Sequence, residues 1–324
     1  MMLVFRVCCI MITGCCNLAN YAQAQNNSSV FFADPTIFHY KHKFYLYGTD
    51  GFNADSGFHV AVAKDLIHWK KTKHDQRALS KGETFGTRGF WAPQVFEHHG
   101  KIYMIYTASE HIAIAEGSAP EGPFRQKYLK ALPNPVKQID PFVFKDDDGK
   151  LYLYHVRLQD GNRIWGAVLK DDLSGIDTTT LRECISAVVN PQPWENTQSL
   201  RWTVTEGPAV IKRGKKYFMF YSANDFRNPD YAVGYATADH PLGPWRKSEK
   251  NPVISRLMTG MNGPGHGDIV IDNKGTIYYV FHTHFSNEKV APRRTAVVKL
   301  SVANKKSGDV EIDLGSLHYL KFYD

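Results

Sequence analysis

Cysteine is nearly absent from the body of this sequence. Of five Cys in 324 residues, four lie in residues 8–16 and only Cys184 lies beyond them. A chain starting at Gln25 would hold no internal disulfide, which excludes the disulfide-knit scaffolds of small secreted domains. No Cys or His pair has zinc-finger spacing, and no thiol cluster offers a soft-metal site. Cys184 itself reads as a small buried hydrophobe. Long apolar runs are also missing. The N-terminal run is about a dozen residues, too short to span a bilayer as a helix. Charge of one sign is not concentrated either. The net charge is +7, from 39 basic and 32 acidic residues, and the body carries +6 once Arg6 is set aside. Lys70, Lys71 and Lys73, like Lys212, Lys215 and Lys216, fall in turn-like stretches and form no basic helix. With no RNP-like strand present, nothing favours nucleic-acid binding.

The first two dozen residues read as an export signal: one cation, Arg6, then the short apolar core. Two processing sites compete. Ala22-Gln23-Ala24 is an A-x-A site, giving a signal peptide over 1–24 and a domain over 25–324. Ile12-Thr13-Gly14-Cys15 has the form of a lipobox, giving a lipoprotein signal over 1–14 with Cys15 lipidated. Either predicts an exported protein, periplasmic or at the surface of a bacterium. No transmembrane segment is expected, and a monomer is.

What the sequence has in plenty is aromatics: 17 Tyr, 19 Phe and 6 Trp. They recur in a phrase that appears five times, at 33–48, 92–107, 140–155, 206–222 and 266–282. Each copy has a small polar or Pro-containing step, a short apolar run, a turn, and an aromatic strand such as FYLYG or YFMFYS. A third strand follows each copy, as in HIAIAEG (111–117) or RRTAVVKLSV (293–302). Short apolar runs bounded by Gly, Asp and Lys predict hairpin strands. Five units of about sixty residues predict an all-β fold, a five-bladed β-propeller.

The openings of the repeats carry acids or histidine: Asp34, Asp140, Glu206 and His266, with Trp91-Ala92 in the second copy. In a propeller these openings converge at one mouth of the central channel. Unpaired acids beside apolar strands are costly, so a chemical use is indicated. Separated carboxylates in a sugar-sized cleft suit glycosidic hydrolysis, one as proton donor and one as base or nucleophile. A third acid raises the pKa of the donor by repulsion. The sequence alone does not rank the three, and Asp34 and Asp140, each before Pro, also suit turns.

The phrases Ala33-Asp34-Pro35, Trp91-Ala92-Pro93, Ile139-Asp140-Pro141-Phe142, Thr205-Glu206-Gly207-Pro208 and Gly265-His266-Gly267 resemble those of glycoside hydrolase family 43. The resemblance covers roughly residues 30–302. It implies an inverting hydrolase with Asp34 as general base, Glu206 as general acid, and Asp140 orienting Glu206 and tuning its pKa. It also implies Phe32 and Trp91 as apolar walls for a sugar. His266 would help to hold a water-ligated, structural calcium, and the chemistry itself requires no cofactor. Of the adjacent Arg293 and Arg294, one would touch the substrate, with Arg294 favoured. The implied substrate is an arabinose- or xylose-containing plant glycan. An exo-acting α-L-arabinofuranosidase is expected first, with β-xylosidase, endo-arabinanase or xylanase as alternatives. The segment 174–204, with Trp194 and Trp202, would wall the pocket or pack on the blade rim. A propeller that binds glycan without cutting it is the reading from another class.

Overall fold

The computed structural model describes residues 28–72, 77–302 and 309–323. The export signal and its two processing sites lie outside the described residues. Five sheets built on antiparallel hairpins follow one another along the chain, and the C-terminal strand Lys321–Phe322 adds in parallel to the first. Their innermost strands are Phe32–Tyr40, Trp91–His98, Gln138–Lys145, Thr205–Arg213 and Gly265–Ile271. Each packs on the next, and the fifth packs back on the first, so the ring closes. This is the expected five-bladed β-propeller. Helix among the described residues is limited to single turns such as Arg256–Thr259, and none is long and apolar enough to cross a membrane.

The aromatic strands follow from the ring. Each blade is covered on both faces by a neighbour, so its second strand must be apolar on both pleats. Along Lys43–Asp50, Tyr45 and Tyr47 enter a core with the second blade, while Phe44 and Leu46 enter one with the fifth. Along Leu151–Leu158, Leu151 and Leu153 face the second blade, and Tyr152, Tyr154 and Val156 face the fourth. The core is thus five inter-blade clusters rather than one centre. Each fully buried large side chain contributes about 1.5–3 kcal/mol. Buried phenols need acceptors. Those of Tyr47 and Tyr154 donate to the carbonyls of Pro120 and Pro241, which open the two Pro-x-Gly-Pro turns. Cys184 packs against the cluster between the third and fourth blades, and burial pushes its thiol up to about 12. Such a thiol is inert as a nucleophile.

Every innermost strand breaks register near its mouth end, at 33/36, 91/94, 139/142, 206/209 and 265/267. The bulged residues are Asp34, Ala92, Asp140, Gly207 and His266, all with φ between 41° and 59°. Bulges re-aim side chains and are common beside active sites. Asp and His are among the residues that tolerate this region best. The register corrects one expectation. Glu206 is not the counterpart of Asp34 and Asp140; Gly207 is, and Glu206 stands one residue ahead, level with Trp91 and Ile139.

Candidate active site

The bulges are held from blade to blade. Four of the five bulged N–H groups donate to a side chain on the second strand of the preceding blade. Ala92 donates to Thr49 Oγ1 at 3.0 Å, Asp140 to Thr107 Oγ1 at 3.0 Å, His266 to Ser222 Oγ at 2.8 Å, and Asp34 to His282 Nδ1 at 3.1 Å. The counterpart in the third blade is Val156, paired with Ile139, and valine offers no acceptor. There the N–H of Gly207 points to Asp140 Oδ2 instead, at 3.4 Å. Gly207 is also required by space. A Cβ on it would lie 2.8 Å from the His266 ring, at a φ of 59°.

A pocket of about 290 Å³ opens over these bulges. Asp34, Asp140, Glu206, His266 and Trp91 all line it, so the mouth does bring the repeat openings together. Asp34 is buried. It accepts from Arg293 Nη1 at 2.9 Å and Nη2 at 3.4 Å, and from Thr49 Oγ1 at 2.7 Å. Burial alone would raise its pKa. The cation of Arg293, the two histidines and the Thr49 hydroxyl outweigh that and hold it well below the usual carboxylate range. Charge-assisted donors act in this direction on a carboxylate.

Glu206 is in the opposite state. Burial pushes it up to about 7; nearby Asp34 and Asp225 add to the rise, while its two hydrogen bonds pull against it. Those bonds come from Tyr231 Oη to Oε1 at 2.8 Å and from Asn162 Nδ2 to Oε2 at 3.0 Å. Asp140 is raised well above the ordinary value by burial, then by Glu206 and Asp34. Asp140, Glu206 and His266 offer atoms within 4.8 Å of one another. Two buried carboxyls that close cannot both ionise freely, so the pair holds a proton near neutrality and titrates as a unit. His266 Nδ1 lies 3.4 Å from Asp34 Oδ1 and 3.8 Å from Asp140 Oδ2. Burial lowers the pKa of His266, against the pull of Asp34.

Two sequence expectations come out differently. Phe32 belongs to the apolar core between the fifth and first blades and lines a separate cavity of about 300 Å³ over the first blade. It does not line the acidic pocket. Of the two arginines, Arg293 reaches the pocket and Arg294 does not. Successive residues of a strand point to opposite faces, and the Arg294 guanidinium stacks 3.9 Å from the centre of the Tyr319 ring.

Trp202 lines the pocket as one of the two expected placements of its segment, while several pocket residues escaped sequence reading: Asn162, Asp225 and Phe226 line it, and Tyr231 supports it from behind. A signal existed for two of them. By strand pairing, Asn162, Tyr231 and Arg293 occupy one equivalent position, at the mouth end of the third strand in the third, fourth and fifth blades. Trp202 arrives on the segment before Glu206. That segment is fastened by the buried Glu195, which accepts from Lys247 Nζ at 2.7 Å and Tyr221 Oη at 2.8 Å. It walls the pocket through Trp202 and Val204, while Trp194 packs against the blade.

Calcium fits this channel poorly. The ion takes six to eight oxygen ligands. Below the bulges the space among Thr36, Gln94, His266 and Asp268 is about 20 Å³, which has room for about one water. Burial raises Asp268 to about 6, and the Thr36 hydroxyl is spent on it. The residues can form His/Asp groupings of ligand size, but not a hard-cation cage.

One carboxylate fixed as the anion and a second carboxyl pair holding a proton, both facing a sugar-sized pocket, define an acid–base hydrolase of acetal bonds on a propeller. The sequence profile described as glycosyl hydrolases family 43 matches residues 28–303. The chain belongs to that family of glycoside hydrolases. A solved structure described as an endo-1,4-β-xylanase from Bacteroides thetaiotaomicron is 39% identical. It covers 93% of this chain and 100% of its own, with a TM-score of 0.84. The β-D-galactofuranosidase xynD of Aspergillus niger is 24% identical over 288 residues, 83% of this chain and 78% of that protein. A xylosidase/arabinosidase of Butyrivibrio fibrisolvens is 28% identical over 263 residues, 77% of this chain but only 48% of that protein. The chain thus spans about half the length of some relatives it matches.

Proposed function

We propose that this protein removes terminal pentose residues from plant glycans with inversion of configuration. Asp34 is the general base that takes a proton from water. Glu206 is the general acid that gives one to the leaving oxygen. Asp140 orients Glu206 and titrates with it as a pair that holds a proton. The observation that carries this reading is that one pocket holds Asp34 paired with Arg293 and Glu206 buried close to Asp140. Arg293 fixes the first as an anion, while burial beside Asp140 holds a proton on the second pair. An inverting hydrolase needs that division of roles, with space between the two for the attacking water. Trp91 supplies an apolar wall for the sugar.

For the sugar itself we propose α-L-arabinofuranose first and β-D-xylose second. The pocket of about 290 Å³, walled by the segment carrying Trp202, supports end-on binding of one sugar with part of the next. The second reading draws support from the relative that is named for both sugars. Release of p-nitrophenol from the α-L-arabinofuranoside and the β-D-xyloside, with a screen of arabinan and xylan oligosaccharides, tests the substrate. Proton NMR of the first-formed anomer tests inversion: a product with retained configuration removes the role given to Asp34. Turnover on none of these glycans removes the enzyme reading for these sugars and leaves a glycan-binding propeller. We also propose export, by cleavage after Ala24 or by lipidation at Cys15. The mass of the mature protein, and its partition between soluble and membrane fractions, distinguish the two.

A further inference from the structure

Glu206 is joined to the pocket wall by a two-bond chain. The indole Nε1–H of Trp202 donates to Asn162 Oδ1 at 2.9 Å. The amide Nδ2–H of Asn162 then donates to Glu206 Oε2 at 3.0 Å. An indole can only donate, and an amide has one accepting and one donating end. Trp202 therefore fixes which way round Asn162 sits. With its oxygen committed to Trp202, Asn162 must turn its NH₂ toward Glu206. Without that donor the amide is free to flip and present its oxygen to the acid. The other oxygen of Glu206 is held by Tyr231, itself wholly buried.

Trp202 is unusual in a second respect. It is 51% exposed although it lines the pocket and anchors this chain of bonds. Its edge is spent on Asn162, and its indole remains half open to solvent. An exposed aromatic face is the surface on which the apolar face of a sugar ring stacks. Trp202 reaches Glu206 through Asn162, whereas the base Asp34 is held from the fifth blade by Arg293 and His282. The sugar that departs on protonation is the one closest to Glu206.

We propose that Trp202 is the platform for the leaving-group sugar, a pyranose of a xylan-type chain, and that through Asn162 it positions the acid Glu206. One residue thus senses the leaving group and sets the group that protonates it. The inference rests on Glu206 being the acid.

The test compares Trp202→Phe, Trp202→Ala and Asn162→Ala in the full-length protein. Phenylalanine keeps a stacking face and loses the N–H. With xylo-oligosaccharide or arabinoxylo-oligosaccharide substrates, Trp202→Phe is expected to keep KM within about twofold and lose about tenfold in kcat, the effect of one hydrogen bond. Trp202→Ala should in addition raise KM about tenfold on oligosaccharides and leave KM on aryl glycosides nearly unchanged. The bond from Asn162 favours ionised Glu206, so its loss raises the pKa of the acid. The alkaline limb of kcat/KM should then move to higher pH in both Trp202→Phe and Asn162→Ala, which a merely structural role would not produce. Carbon-13 NMR titration of the Glu206 carboxyl reads the same shift without turnover, so the relay is judged even if no glycan is cut. An unmoved titration in Trp202→Phe overturns the relay. An oligosaccharide KM unchanged in Trp202→Ala overturns the platform.

Discussion

Arg293 donates to both carboxylate oxygens of Asp34, at 2.9 and 3.4 Å, across 259 residues of chain. The same guanidinium lies 4.6 Å from the centre of the Phe226 ring, so its plane is fixed on a second side. The first and fifth blades therefore meet chemically at the base.

Removing this cation should expose the titration of Asp34. In Arg293→Ala, burial is no longer outweighed, and the Asp34 pKa rises toward and past the ordinary carboxylate range. An acidic limb should appear in kcat/KM where the wild type has none down to the lowest pH it tolerates. Loss of hydrogen bonds to a charged group should cost about 10- to 100-fold in kcat/KM at neutral pH. Arg294→Ala, which loses only the stack on Tyr319, should stay within about twofold. Steady-state pH profiles of both variants check this.

The two carboxyls proposed as acid and base, Glu206 and Asp34, should differ in their response to the leaving group. Glu206→Gln should lose about 10²- to 10⁴-fold on oligosaccharides, the usual range for a missing general acid. It should lose far less on dinitrophenyl glycosides, whose leaving group needs no proton. Asp34→Asn should lose activity alike on both, because water activation does not depend on the departing group. Equal losses for the two variants on both substrates would contradict the assignment.

The wild-type profile follows from the same states. Asp34 remains ionised far into acid, while Glu206 must be protonated. Activity should hold on the acidic side and fall as pH rises through about 7. Asp140 and Glu206 hold their last proton by mutual repulsion, which Asp140→Asn removes. In the residual activity of that variant the alkaline limb should move to lower pH. A limb that moves upward would mean that Asp140 acts on Glu206 by hydrogen bonding rather than repulsion.

The wall segment should depend on one buried ion pair. Glu195 is fully buried, and Lys247 donates to it and to the carbonyls of Ser186 and Asn190. Lys247→Met leaves the buried Glu195 without its partner, and breaking a buried pair on one side costs about 3–5 kcal/mol. Urea denaturation should show that loss. Restoring Lys at that position should restore the midpoint, and kcat should fall with the wall disturbed.

Much of this was legible in the sequence because a propeller repeats. The five phrases gave the blades, and their openings gave the pocket, since equivalent positions in a closed ring share one end. What failed did so at single-residue register. A bulge shifts the side-chain pattern by one, and no composition rule locates it within a Pro-containing step. Glu206 therefore reads as equivalent to Asp140 although it precedes the bulge. Arg294 reads as well as Arg293 until the pairing of His282 with Thr295 fixes the pleat. Asn162 and Tyr231 sit level with Arg293, but polar residues at strand ends are too common to stand out alone. Trp194 and Trp202 read alike as wall or rim, and how the loop folds back sends Trp202 to the pocket and Trp194 to the blade.

Val156 gives the ring its asymmetry. A fivefold scaffold offers five equal seats, and equal seats would give equal acids. At four seams a hydroxyl or imidazole takes the incoming N–H and leaves the mouth side chain free of that duty. At the seam between the third and fourth blades a hydrocarbon stands there, and a carboxylate must take the bond itself. A missing oxygen atom at one seam thus ties Asp140 to the next blade through Gly207, a donation that favours the anion against burial and the neighbouring Glu206.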